Sequence, residues 1–361
     1  MPDFGAYQNE IYLAGLSGRL PRFPMRFDEL EAKAHSAMPE SLVSYVAGGC
    51  GDEATQRANV AAFDKWGLTP RMFVGAKRRD LSIELFGMKL PSPLFMTPNG
   101  VIGLCAQDGH GDLATARAAA LTGVPMVAST LSVDPLEAVA AEFKATPGFF
   151  QLYTPTDREL AASLVRRAEQ AGFKALVVTL DTWVTGWRPR DLKTANFPQL
   201  RGHCLANYFT DPRFAQLLGG PPERDLRAAV ATWATIFGNP LTWDDLPWLR
   251  SLTSLPLIVK GICHPDDARR AIDGGVRRNL LLQSRRPAGQ RRHPGARHAA
   301  RGGEGRWDDS GPVRFRNPLR NPHRQGAGDG RRGGRGGAPL RLRARARRDR
   351  RHRPCSVFTP G

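Results

Sequence analysis

Residues 175–182, Ala175-Leu176-Val177-Val178-Thr179-Leu180-Asp181-Thr182, run from four consecutive apolar side chains into polar ones. A short apolar run closed by polar residues reads as a buried strand of a parallel sheet. Just upstream, Asp157–Ala171 places Leu160, Leu164, Val165 and Ala168 on one face, the pattern of an amphipathic helix. The same alternation extends in both directions. Apolar strand candidates lie at Pro93–Thr97, Val124–Ser129, Gly148–Tyr153 and Pro256–Lys260, and helical segments at Gly111–Thr122 and Pro135–Phe143. Strands alternating with helices predict a parallel α/β sheet with helices outside. Before it, Asp28 to Ala37 and Glu40 to Val46 read as short helices, the second stopped by Gly48-Gly49. Residues 81–90 read as a hairpin. The stretch 187–246, rich in Pro, Asn and aromatic residues, breaks the rhythm and reads as a lid-like insertion.

Polar residues at the strand ends narrow the fold and the chemistry. Thr130, Gln151, Tyr153, Thr179, Asp181 and Lys260 each lie at or just past the C-terminal end of a strand candidate. In a TIM (β/α)8 barrel those ends converge on the active site. Hydroxyl, amide and ammonium donors there suit a planar, carbonyl-rich heterocycle better than a metal. Lys260 follows apolar neighbours, so its charge needs an anionic partner. His203-Cys204 and Cys263-His264 lack zinc-site spacing, so no metal is indicated. Gly109-His110-Gly111-Asp112-Leu113-Ala114 fits a dinucleotide pattern only weakly, since no strand runs into it, and reads as a loop entering a helix.

The chain changes character at Val276. Residues 277–361 hold 24 Arg and no Lys against five acidic residues, a net of +19. The remaining 28 basic and 29 acidic residues leave 1–276 at −1, so the whole-chain charge of +18 belongs to the tail. Three readings compete: an Arg/Gly-rich nucleic-acid arm, a solvated extension without function, and a reading-frame shift in a GC-rich gene. The third is favoured on paper. One permitted coding of Arg277 to Arg286, regrouped one base later, reads Asp-Gly-Ile-Tyr-Cys-Ser-Asn-His-Gly-Gly. The same shift near Val313 to Asn321 yields Asp-Ser-Gly-Ile-Arg, and near Ala338 to Arg345 yields Gly-Arg-Pro-Tyr. These restored runs alternate apolar segments with Gly-rich turns, as buried parallel strands do. Nucleic-acid binding is therefore the weaker reading.

The start Met1-Pro2-Asp3-Phe4-Gly5 has no signal-peptide pattern, and no apolar run approaches a membrane span. The five scattered cysteines suit reduced thiols in a cytoplasmic protein.

From Gly5 to Val276 the chain resembles the FMN-dependent α-hydroxy acid oxidase family, and within it the lactate 2-monooxygenase branch. The motifs are Ser44-Tyr45-Val46-Ala47-Gly48-Gly49, Thr97-Pro98-Asn99-Gly100, Phe150-Gln151-Leu152-Tyr153, Val178-Thr179-Leu180-Asp181-Thr182, Gly186-Trp187-Arg188-Pro189-Arg190-Asp191-Leu192 and Val259-Lys260-Gly261. The restored-frame runs match the same family. The resemblance implies an N-terminal helical segment (1–80), an FMN barrel (81–276, with the insertion 187–246) and an aberrant tail (277–361). It implies that Pro98, Asn99 and Gly100 run beside the flavin, that Thr130, Gln151 and Thr179 bond its polar edge, and that Lys260 stabilises the reduced ring. Tyr45, Tyr153 and Arg188 would hold the substrate, a small 2-hydroxy acid oxidised with O2. The implied reaction takes L-lactate to acetate, CO2 and water; the alternative is an L-lactate or glycolate oxidase releasing the 2-keto acid and H2O2. The frame-intact family form is expected to be a homo-oligomer. The catalytic His position is Ser284 here and the second substrate Arg position is Pro287, so no catalytic residue is intact. Five barrel strands fall before the tail, and strands six to eight within it. As translated, the chain is expected to be inactive, with a disordered tail.

Overall fold

A computed structural model describes residues 6–75 and 80–276, together with the backbone of 278–280. The readings placed on 281–361, Ser284 and Pro287 among them, lie outside the described residues. Helices α1 (Ala6–Gly15), α2 (Phe27–Ala37), α3 (Glu40–Ala47) and α4 (Ala54–Ala61) precede a hairpin of β1 (Ile83–Leu85) and β2 (Met88–Leu90). Phe86 and Gly87 form the turn with φ of 53° and 75°, the doubly positive pair that matches strand twist in a two-residue loop.

The repeating unit then begins. Strands β3 (Met126–Ser129), β4 (Gly148–Leu152), β5 (Leu176–Thr179), β6 (Leu257–Lys260) and β7 (Arg278–Leu280) form a parallel sheet in sequential order. Helices α5 (Gly111–Thr122), α6 (Leu136–Glu142) and α7 (Arg158–Gln170) alternate with the first of these strands. The Asp157 side chain caps α7 by accepting from the Leu160 amide at 2.7 Å. The Gly109–Ala114 pattern resolves as a loop entering α5 at Gly111, as expected.

Two expectations need correction. Pro93–Thr97 is not a strand: only Met96 bridges to Met126. That bridge consists of the Met96 amide donating to the Pro125 carbonyl at 2.8 Å and the Met96 carbonyl accepting from the Val127 amide at 2.9 Å, and the pairing extends no further along the segment. Conversely, β7 lies inside the segment assigned to the tail, and its Leu280 registers with Lys260. The fifth sheet strand is thus Arg278–Leu280, and among the described residues the sheet is five-stranded.

Alternation along the strands sorts side chains by face. Met126, Ala128, Phe150, Leu152, Leu176, Val178, Leu257 and Val259 join the main core with Leu160, Leu164 and Val165 of α7. Val127, Phe149, Val177 and Ile258 form a second cluster, against which Leu85, Phe86 and Met88 of the hairpin pack. Continuing the period of two along that second face gives Ser129, Gln151, Thr179 and Lys260 at the strand ends. The face is apolar at one end and polar at the other.

The region 187–246 carries α8 (Pro189–Thr194), α9 (Ala206–Phe209), α10 (Pro212–Leu218) and α11 (Leu226–Ile236), and α12 (Leu246–Ser251) follows; α13 (Pro265–Asp273) leads to β7. The middle of the insertion is part of the core: Leu205, Tyr208, Phe214 and Trp233 are buried in the main cluster. No helix among the described residues is long and apolar enough to cross a membrane.

Candidate active site

The strand-end groups form one hydrogen-bonded constellation. Gln151, 1% exposed at the end of β4, accepts from Ser129 Oγ at 3.0 Å and donates from Nε2 to Thr179 Oγ1 at 2.8 Å. Thr130 Oγ1 donates to the Gln151 carbonyl at 2.5 Å and accepts from the Tyr153 amide at 2.9 Å. Four of the sequence-selected residues, Thr130, Gln151, Tyr153 and Thr179, are therefore brought together. The Tyr153 ring also lies 5.2 Å from that of Phe237 in the insertion.

Lys260 lies beside Thr179 in the β5–β6 register and is buried. Its anionic partner is Asp181, with Nζ 3.0 Å from Oδ1, and Thr182 Oγ1 donates to the same oxygen at 3.1 Å. Burying an ammonium is tolerable only with such a partner. Gly261 makes the approach feasible: its φ is +104°, and a Cβ there would lie 2.7 Å from Asp181 Cβ. Gly100 runs close to the loop after β3, where a Cβ would lie 3.3 Å from Leu131 Cβ. Asn99 Oδ1 accepts from the Val101 amide at 3.4 Å, which shapes the turn after Pro98.

A second group surrounds Tyr45 on α3. The Arg188 guanidinium lies over the Tyr45 ring, 4.9 Å from its centroid. Arg188 Nη2 donates to the Tyr45 carbonyl and, at 2.7 Å, to the Gly48 carbonyl; Nη1 pairs with Asp191 at 2.7 Å. Arg188 is thus buried and ties the end of α3 to α8. A substrate carboxylate reaching it would share these partners.

Sequence reasoning missed two residues of the insertion. Asn207, fully buried, donates to the Ser129 and Thr130 carbonyls at 3.2 and 2.9 Å and accepts from the Leu136 amide at 2.7 Å. It pins the end of β3 to the start of α6. Gln199, also fully buried, accepts from Tyr45 Oη at 3.3 Å. Neither sits in a periodic segment, so pattern alone carried no signal for them. Burial also raises nearby acids: Asp112, on α5 under the Val133 amide, is pushed up to about 6, and the Cys204 thiol to about 12. Among the described residues no group of three His, Cys, Asp or Glu could hold a metal.

The hydroxyls of Thr130 and Thr179, the Gln151 amide and the Lys260 ammonium share one dry, polar sheet end. That donor set fits the oxygen- and nitrogen-rich edge of a flavin, and the close backbone at Gly100 fits a flat ring alongside. The positions expected to take the phosphate lie outside the described residues.

Comparison with known proteins agrees. The model of the FMN-dependent dehydrogenase family matches residues 34–278. The chain is 38% identical over 278 residues to an FMN-dependent alpha-hydroxy acid dehydrogenase of Penicillium citrinum, covering 76% of this chain and 69% of that protein. It is 36% identical over 268 residues to an L-lactate oxidase of Lysinibacillus sphaericus, covering 74% and 68%. A mandelate oxidase variant solved with a C4a-OH-FMN adduct superposes with a TM-score of 0.62 at 30% identity, covering 75% of this chain and 73% of that one. With its parallel sheet, its buried Lys260 and its strand-end donors, the chain belongs to the FMN-dependent α-hydroxy acid oxidase and dehydrogenase family, whose cofactor is FMN.

Proposed function

We propose that the lineage reaction is oxidation of L-lactate with O2 to acetate, CO2 and water, and that this chain as translated has lost it. The observation that carries the substrate side is the buried Tyr45–Arg188 pair, a phenol with a guanidinium 4.9 Å from its ring centroid. FMN, when bound, supplies the electron acceptor. Thr130, Gln151 and Thr179 would bond its polar edge, and Lys260, a fixed cation held by Asp181, would favour negative charge arriving there. Tyr45 Oη and the Arg188 fork would orient the carboxylate, with Tyr153 near the substrate hydroxyl.

Loss of activity follows from Ser284 and Pro287. A serine hydroxyl does not take up a proton at neutral pH as an imidazole does. A reading-frame shift near codon 277 is supported by three features: the change in composition at Val276, the coherent restored runs, and a family match that stops at residue 278. In this reading the frame-intact form closes an eight-stranded barrel, assembles as a homo-oligomer and works in the cytoplasm. Salt-sensitive binding of RNA that disappears when 277–361 is deleted would instead favour a basic arm. The second reading, an oxidase releasing pyruvate and H2O2, is favoured by the similarity to the L-lactate oxidase. Product analysis on frame-corrected protein separates them: acetate and CO2 support the monooxygenase, pyruvate and H2O2 the oxidase. A corrected protein inert towards every small 2-hydroxy acid would overturn both.

A further inference from the structure

We propose that Gln199 is a positioning residue whose side-chain amide sets the direction of the Tyr45 hydroxyl proton, and so the affinity for a 2-hydroxy acid carboxylate. The inference rests on the reading of Tyr45 as a carboxylate contact. Three side chains from one stretch of the insertion frame the Tyr45 ring: Arg188 over its face, Phe197 edge-on with centroids 5.9 Å apart, and Gln199 at the hydroxyl. The same stretch is tied to the backbone around α3, through Asn196 Nδ2 donating to the Ser41 carbonyl at 3.1 Å and the Gly51 amide donating to Trp187 at 2.9 Å. The ring is therefore fixed, and the hydroxyl proton is the variable that remains.

A tyrosine hydroxyl has one proton. Here it is donated to Gln199 Oε1 at 3.3 Å, a long contact. Gln199 Nε2 is buried and, among the described residues, has no hydrogen-bond partner. A half-turn of the amide exchanges its two ends without moving the side chain. Nε2 then donates to Tyr45 Oη, and the tyrosine proton is released towards an incoming carboxylate. Each orientation leaves one amide atom bare, so the two lie close in free energy and the charge of the ligand decides between them.

The test uses the full-length chain with excess FMN, in which L-lactate binding is measured calorimetrically without turnover. Gln199→Leu removes the Nε2 donor that faces Tyr45 Oη in the bound orientation and should weaken binding about 5-fold, in line with loss of one neutral hydrogen bond. In a Tyr45→Phe background the same change should alter affinity less than about 2-fold, because its route is gone. Gln199→Glu supplies a readout that packing alone would not move. Ionised, it only accepts and holds the tyrosine proton; protonated, it can donate as the amide does. Its L-lactate affinity should therefore rise about 10-fold from pH 8 to pH 5, while the parent changes less than about 2-fold. Equal weakening by Gln199→Leu in both backgrounds, or a pH-independent Gln199→Glu, overturns the proposal while leaving the hydroxy-acid reading intact. Loss of fold in both Gln199 variants assigns the residue a structural role and likewise overturns it. Absence of L-lactate binding by the parent chain overturns this inference, while the hydroxy-acid reading stands or falls separately on the frame-corrected protein.

Discussion

Replacing Asp181 by Asn removes the charge that, among the described residues, pairs with Lys260, and changes little in volume. The two side chains are 13% and 7% exposed, and the charged atoms are 3.0 Å apart. At an effective dielectric of about 20, charges at that separation attract by roughly 5.5 kcal/mol. Deleting one member of a buried pair leaves the other uncompensated, and the net cost is about 3–5 kcal/mol. Equilibrium unfolding in urea, followed by tryptophan fluorescence, reads this directly. With a slope of about 2 kcal/mol per molar, Asp181→Asn should lower the midpoint by about 1.5–2.5 M. Adding Lys260→Met removes the stranded charge, so the double variant should regain most of that loss. A midpoint shift below about 0.5 M for Asp181→Asn would refute the reasoning, because Lys260 would then be solvated or otherwise paired.

Asp112 provides a pH test of burial. Desolvation raises its carboxyl to about 6 in the folded chain, above its unfolded value, so the folded state holds a proton that the unfolded state has released. Its contribution to stability should fall as pH rises from about 4 to about 6 and stay low above that; Asp112→Asn should flatten this segment of the stability–pH curve and stabilise the chain at pH 7. An unchanged curve would contradict the burial argument. Asn207→Ala strips three buried hydrogen bonds from the β3–α6 junction and should destabilise by about 3 kcal/mol or more; a loss under about 1 kcal/mol in the same urea assay would show that water replaces the amide. The translated chain should turn over L-lactate at least about 100-fold more slowly than its frame-corrected form, the lower bound for loss of a general base; oxygen consumption measures this, and comparable rates would contradict it.

The sheet was legible because its strands are short apolar runs ending in polar residues, and α7 because Leu160, Leu164, Val165 and Ala168 share one face. Lys260 announced its need for a partner, and Asp181 was already among the strand-end residues. Register is what sequence did not carry. Pro93–Thr97 has the composition of a strand, but only Met96 pairs, in a single bridge to Met126. Arg278–Leu280 has the composition of a tail, yet it pairs with β6 through backbone groups that are indifferent to side-chain identity. Asn207 and Gln199 were invisible for another reason: a buried amide is placed by tertiary contacts, and nothing in its local neighbours marks it.

Insertion or deletion of one base near codon 277, to restore the proposed frame, followed by anaerobic addition of L-lactate, joins every part of this reading in one spectrum. The corrected protein should purify yellow with bound FMN, and L-lactate should bleach its flavin absorbance. Lys260→Met in that background should slow the bleaching, since charge arriving on the ring would lose its fixed partner. A corrected protein that is soluble and folded but carries no flavin would contradict the proposed frame break and the site built on Thr130, Gln151, Thr179 and Lys260.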